Sequence, residues 1–190
     1  MLYGKYKNVR DAVWKTIIEL KINQLPVSVD FITKELGIKQ IRNCDLEYPL
    51  LSSGERGLAI LAEGNWYVIY NEKESIPARR FTVAHEIGHI LLGHLLVADK
   101  KYRTFQKRNP EEQEADMFAA RLLAPACVLW GLNLHTPEEI QEVCNISYQA
   151  AKFRAERMKI LYQRNMFLVS TLERKVYEQF DYYIQKNKKG

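Results

Sequence analysis

At residues 81–92 the chain reads Phe81-Thr-Val-Ala-His-Glu-Ile-Gly-His-Ile-Leu-Leu92. The apolar residues around its His-Glu-x-x-His pattern are typical of a helix. Residues four positions apart share one helix face, so His85 and His89 can reach the same metal ion. Glu86 then lies beside the ion, where it can take a proton from a bound water molecule. The stretch therefore predicts a helix with a catalytic zinc site, and two surface histidines flanking a glutamate are the simpler alternative.

Upstream of this stretch the sequence predicts two helices, a short strand and a β-hairpin. Glu63-Gly64-Asn65 separates two apolar segments, which is the pattern of a hairpin turn. Ser75 and Pro77 mark the start of the metal-site helix. The predicted elements are helices over residues 9–20 and 29–36, a strand over residues 38–42 and hairpin strands over residues 57–62 and 66–70.

Downstream the sequence predicts a polar, basic loop followed by helices. The predicted segments are the loop over residues 98–108, a helix over residues 109–124 capped by Asn109, two helices capped by Thr136 and by Asn145–Ser147, and a last helix over residues 171–185. The predicted fold class is α+β, with a small antiparallel sheet packed on the zinc-binding helix in a zincin-like core. We assign residues 1–130 to this core and residues 131–190 to a helical region packed on it as one compact unit.

Composition narrows the class of protein. A chain of 190 residues that is 47% hydrophobic can bury a core, which argues against disorder. Apolar runs shorter than a membrane span, and an N-terminus without signal-peptide features, predict a cytoplasmic protein. Cys44, Cys127 and Cys144 lack metal-type spacing and are expected to be reduced thiols. The net charge of +5 is too modest to indicate a nucleic-acid partner by itself.

A catalytic zinc site normally needs a third protein ligand. The predicted helix over residues 109–124 offers four carboxylates, Glu111, Glu112, Glu114 and Asp116. Glu112 and Asp116 are four positions apart, so one could bind zinc while the other accepts a hydrogen bond from a ligand histidine. For Glu111 and Glu114 we favour a simpler role, stabilising the helix N-terminus through its dipole.

The two remaining histidines give weaker signals. His94 follows His89 by five positions, which on a continuous helix is about 140° away from the metal face. We therefore expect His94 to pack or to cap a loop. His135 precedes a turn and has no partner at useful spacing.

Two segments together resemble the ImmA/IrrE family of metallopeptidases. They are Arg80-Phe-Thr-Val-Ala-His-Glu-Ile-Gly-His89 and Glu112-Gln-Glu-Ala-Asp-Met-Phe-Ala-Ala-Arg-Leu-Leu-Ala-Pro125, and the resemblance extends over most of residues 25–160. It implies that Glu112, which opens a Glu-x-x-Ala pattern, is the third ligand of one zinc ion per chain, and that Asp116 orients His85. Ala124-Pro125 departs from the commoner Met-Pro pair, and we expect no consequence for the chemistry.

The resemblance also implies a function. Members of this family occur in bacteria, mobile elements and phages, and cleave transcriptional repressors, usually helix-turn-helix proteins encoded beside them. We therefore expect zinc-assisted hydrolysis of a protein substrate, with Glu86 as general base and with neither a membrane nor nucleic acid as partner. Tyr67 and Tyr102 are the candidates for stabilising the oxyanion. Manganese or iron could occupy the same ligands.

Two other functions stay open. Residues 136–158 have the pattern of a helix-turn-helix, and Lys152, Arg154 and Arg157 could face phosphates, as in a DNA-binding regulator. Apolar residues on the second helix argue against that interpretation. The chain could also be a zinc-bound interaction module or a toxin-like partner without turnover, although an intact Glu86 argues against a peptidase that has lost its activity.

Overall fold

The computed structural model describes residues 3–95 and 110–188. The α+β class is confirmed, and the predicted loop over residues 98–108 and the predicted N-cap Asn109 lie outside the described residues. Along the chain the elements are α1 (Tyr3–Glu19), α2 (Val29–Glu35), β1 (Lys39–Arg42), a 3-10 turn (Asn43–Asp45), β2 (Gly57–Ala62), β3 (Asn65–Tyr70), α3 (Ile76–Leu91), α4 (Pro110–Leu123), α5 (Ala126–Gly131), α6 (Pro137–Cys144), α7 (Tyr148–Gln163), α8 (Thr171–Gln179) and α9 (Asp181–Asn187).

These elements form two compact units. One unit comprises residues 28–119 and holds the sheet, α2, α3 and most of α4. The other comprises residues 1–27 and 120–190, and it holds α1 and the C-terminal helices. The division near residue 130 that the sequence suggested stays a prediction. Among the described helices, none is long and apolar enough to cross a membrane.

The sheet has the strand order β1-β3-β2. β2 and β3 pair antiparallel as the predicted hairpin, and Glu63 and Gly64 turn the chain with φ of 50° and 74°. Positive φ at both turn residues matches the right-handed twist of the flanking strands. β1, in contrast, pairs parallel with β3, so the sheet is mixed and not wholly antiparallel. Alternating apolar residues identify a strand without fixing its direction, and only the hairpin turn constrained the pairing from sequence.

α3 is the helix that carries the predicted metal site. It begins as predicted: the Ser75 side chain accepts a hydrogen bond from the N–H of Ala78, and Pro77 occupies the first turn. The helix packs on β2 and β3 and buries Val83 and Ile87 completely or nearly so. Because burial of apolar side chains is the main stabilising term, this face fixes the rotation of α3 against the sheet.

α3 ends in a tight reversal. Gly93 has φ of 75°, its N–H donates to the carbonyl oxygen of Ile90 at 3.2 Å, and the N–H of His94 donates to that of His89 at 3.1 Å. This pair of bonds is the Schellman arrangement, in which a left-handed residue folds the chain back over the last helical turn. His94 therefore does not continue the helix but returns toward His89.

α3 and α4 approach closely at a glycine. A Cβ atom placed on Gly88 would lie 3.1 Å from Cβ of Phe118, which is fully buried. Contacts that short are tighter than ordinary van der Waals packing. The glycine in the middle of the His-Glu-x-x-His pattern thus allows α4 to lie against the metal-site helix.

The second unit contains the predicted helices, although α1 begins earlier than predicted and α5 was not predicted. Thr136 forms a capping box with Glu139, and Ser147 caps α7, both as expected. The single helix predicted over residues 171–185 is instead two, α8 and α9, which meet at the fully buried Phe180. A helical apolar spacing runs through this break, so the sequence pattern gave no sign of it.

Gly88→Val tests the close approach of α3 and α4. The added side chain would collide with Phe118, and we expect the free energy of unfolding to fall by about 1–3 kcal/mol. Leu91→Val places the same residue at an exposed position of α3 and should cost about 0.5 kcal/mol or less. Urea unfolding of both variants at equal metal content measures the difference. Equal losses for the two variants would contradict the packing.

Candidate metal centre

Three side chains from two helices converge within the unit of residues 28–119. α3 presents His85 and His89, and α4 presents Glu112. The Nε2 atoms of the histidines are 3.0 Å apart. In Glu112, Oε2 lies 3.2 Å from Nε2 of His85 and Oε1 lies 3.3 Å from Nε2 of His89. Both histidines are buried. Nitrogen and carboxylate donors therefore face a common point.

The spacing of these donors suits a metal ion. Ligand atoms about 2.0–2.2 Å from one tetrahedral zinc ion are separated by roughly 3.3 Å. The three separations found here are close to that value. Two imidazole nitrogens and one carboxylate are also a donor set that proteins use for catalytic metals. The cluster fits a metal ion.

The charges of the cluster are strongly coupled. Burial alone would lower the pKa of His85, but its hydrogen bonds to Asp116 and Glu112 outweigh that effect and raise the pKa to about 9. Burial alone would raise the pKa of Glu112, but its hydrogen bonds with His85 and His89 hold that pKa well below the usual range. Glu112 is therefore an anionic carboxylate at neutral pH, as a metal ligand must be.

Glu86 lies beside the donors on α3, and strand β2 holds its carboxyl group. Burial raises the pKa of Glu86 above its ordinary value, and the neighbouring His85 and His89 oppose this only in part. The backbone N–H of Ala59 faces the carboxylate and also opposes the rise in the pKa of Glu86. β2 can approach α3 this closely because it begins with Gly57, where a Cβ atom would collide with Thr82. A buried carboxylate with a raised pKa is suited to accept and return a proton.

Asp116 lies behind His85. Its Oδ1 atom is 2.8 Å from Nδ1 of His85, so Nδ1 is placed to donate its proton to Asp116. When Nε2 gives up its own proton to a metal, this contact keeps the Nε2 lone pair facing the cluster. Asp116 and Glu112 are one helical turn apart on α4, so both side chains lie on the helix face that is turned toward His85. Asp116 is 57% exposed, so solvent reaches this outer partner.

Residues 39–156 match the family model for peptidase family M78, described as the IrrE N-terminal-like domain. The matched range exceeds half of the chain and contains the whole donor cluster. The chain belongs to the M78 peptidase family. This confirms the predicted ImmA/IrrE relationship and identifies a metallopeptidase. Among curated proteins, none matches the chain.

The M78 peptidase brings together all five residues singled out from sequence for the site, namely His85, Glu86, His89, Glu112 and Asp116. Their roles as ligands, base and orienting group remain predictions. Of the two oxyanion candidates, Tyr102 lies outside the described residues. The hydroxyl of Tyr67 lies 3.5 Å from Nζ of Lys39, at the β1 edge of the sheet.

His94 lies outside the donor cluster and packs against His89, as its sequence position led us to expect, but it makes polar contacts that the sequence did not predict. It is 7% exposed, and its Nδ1 atom lies 3.0 Å from Nδ1 of His89. Its Nε2 atom lies 3.1 Å from Oε2 of Glu114, which we had assigned only to the helix dipole. These contacts arise because α3 ends at Leu91 and the chain reverses at Gly93, whereas a continuous helix would have directed His94 away from His89. The glycine directly before His94 was the available signal, since glycine commonly ends a helix in this way.

Glu112→Ala tests the donor cluster. Removing one of three ligands should weaken binding of zinc, used as the probe ion, by at least about 100-fold. The matched control is Gln113→Ala, an exposed position in the same turn of α4, and it should bind like the wild type. Competition with a chromophoric chelator measures both affinities. An unchanged affinity in Glu112→Ala would exclude Glu112 as a ligand.

Proposed function

We propose that this M78 peptidase is an intracellular zinc endopeptidase that cleaves a helix-turn-helix transcriptional repressor or a similar regulatory protein. The observation that supports it best is the convergence of His85, His89 and Glu112 beside the buried Glu86. That arrangement combines a metal donor set with a general base.

Zinc is the metal that this donor set suits best, with His85, His89 and Glu112 as its ligands. When bound, it would supply Lewis-acid polarisation of the scissile carbonyl and lower the pKa of water toward about 7. Manganese and iron use similar donors, so the ligand set alone does not select the ion. The hydrogen bond from His85 to Asp116 would keep the Nε2 lone pair of His85 directed at the ion.

Glu86 would carry the proton through the reaction. Its buried carboxylate would take a proton from the attacking water and then give it to the departing amine. The raised pKa of Glu86 favours both halves of this transfer, because a group that must accept and then release a proton works best when its pKa lies near the working pH.

The substrate class rests on weaker support than the chemistry. A peptidase acts on a peptide or protein, and the choice of a repressor follows from the resemblance to the ImmA/IrrE family. Cys127 and Cys144 are buried and are not joined by a disulfide, which agrees with an intracellular location. A link to phage or mobile-element genes belongs to the same proposal.

DNA binding through residues 136–158 is the less favoured alternative. α6 and α7 do flank a turn at Asn145, which has φ of 49°. The exposed face of α7 presents Phe153, which is 62% exposed, beside Lys152. The Nε atom of Arg154 is buried, so this cation does not present its full charge to a phosphate. An interaction module without turnover would retain the metal but have no use for Glu86.

Glu86→Gln separates the peptidase from these alternatives. The amide cannot act as a base, so we expect cleavage to fall by at least about 100-fold while zinc stoichiometry stays that of the wild type. The readout is labelling of new protein N-termini in cells that express either form, followed by mass spectrometry. Glu35→Gln, at an exposed position of α2, is the matched control.

Termini that appear with the wild type and with Glu35→Gln, but not with Glu86→Gln, would support the proposal. A helix-turn-helix protein among the cleaved proteins would support the substrate class. Equal cleavage by the wild type and Glu86→Gln would overturn the mechanism. No new termini from a zinc-loaded wild type would favour the module without turnover.

A further inference from the structure

His94 and Glu114 extend the donor cluster behind His89. His94 is buried, with one ring nitrogen 3.0 Å from Nδ1 of His89 and the other 3.1 Å from Oε2 of Glu114. Glu114 is itself only 15% exposed. The three side chains therefore form a continuous buried chain of polar contacts that leads away from the cluster.

The backbone around His94 and Glu114 determines where these polar contacts lie. The reversal at Gly93 brings His94 back over His89, to whose carbonyl oxygen it also donates its backbone N–H. Glu114 lies on α4, half a turn from Glu112, so it faces a different side of that helix from the proposed ligand. The contact is thus made by the helix end of α3 on one side and by α4 on the other.

Metal binding by His89 would fix the direction of these two hydrogen bonds. If Nε2 of His89 offers its lone pair to a metal, Nδ1 carries the proton and must be a donor. Nδ1 of His94 must then accept, because two ring nitrogens at 3.0 Å cannot both donate. Nε2 of His94 consequently carries its own proton and donates to Oε2 of Glu114.

We propose that His94, held by Glu114, is a positioning residue that fixes the tautomer and ring orientation of His89 for metal binding. The inference rests on the proposed metal site. Asp116 makes the corresponding contact to His85 through a carboxylate that is 57% exposed. His89 instead donates to the buried, neutral ring of His94, and the carboxylate of Glu114 lies on the far side of that ring. Each ligand histidine thus has its own oriented partner, one open to solvent and one enclosed.

The test compares two substitutions of His94. His94→Phe retains a ring but removes the acceptor, and zinc affinity measured by chelator competition should fall about 10–100-fold. His94→Asn retains an acceptor oxygen near the place of Nδ1 and should recover most of that loss. Glu114→Ala should weaken binding less than His94→Phe, because it releases His94 without removing it. Circular dichroism establishes whether each variant is folded.

Equal affinity in His94→Phe and the wild type would overturn the proposal. So would His94→Asn binding as weakly as His94→Phe, since His94 would then act through ring packing alone. Failure of the metal site itself is distinguishable, because the wild type would then bind no zinc in the same assay.

A second measurement does not depend on any variant. Long-range proton–nitrogen correlation spectra of the zinc-loaded wild type report which ring nitrogen of each histidine is protonated. We expect Nδ1 of His89 and Nε2 of His94 to be protonated and Nδ1 of His94 to be an acceptor. A proton on Nδ1 of His94 would contradict the assignment.

Discussion

The close contact between α3 and α4 at Gly88 is the constraint on which the site depends. A Cβ atom at Gly88 would lie 3.1 Å from Phe118, so glycine lets α4 lie against α3 without displacing Phe118 and brings its carboxylates to the histidines of α3. Glu112 then reaches both His85 and His89. Because a helix repeats every 3.6 residues, fixing one contact along α4 also fixes its other polar side chains near α3.

Burial of this cluster raises the basicity of Glu86 and also requires a partner for each charged group. Charged groups away from water are stabilised only when each has a partner. Here His85 and His89 pair with Glu112, and the same two histidines and the N–H of Ala59 partly offset the burial of Glu86. The same burial raises the pKa of Glu86, which a general base requires. Stability of the cluster and reactivity of the base thus have one physical origin.

The sequence was informative where chemistry depends on local spacing. The His-Glu-x-x-His pattern placed three residues on one helix, and the four-residue spacing of Glu112 and Asp116 anticipated two contacts seen in the structure. It failed where tertiary geometry decides. Strand pattern does not set the parallel pairing of β1, and the contacts of His94 with His89 and Glu114 depend on the reversal at Gly93. In both cases the missing information was the course of the backbone between elements.

The most direct test of the account is the anomalous scattering of crystals of the zinc-loaded protein, recorded on both sides of the zinc absorption edge. A three-ligand site predicts one strong peak per chain, bonded to Nε2 of His85, Nε2 of His89 and a carboxylate oxygen of Glu112. A peak bonded to His94 or Glu114, or bound zinc that leaves Glu112 unliganded, would contradict it.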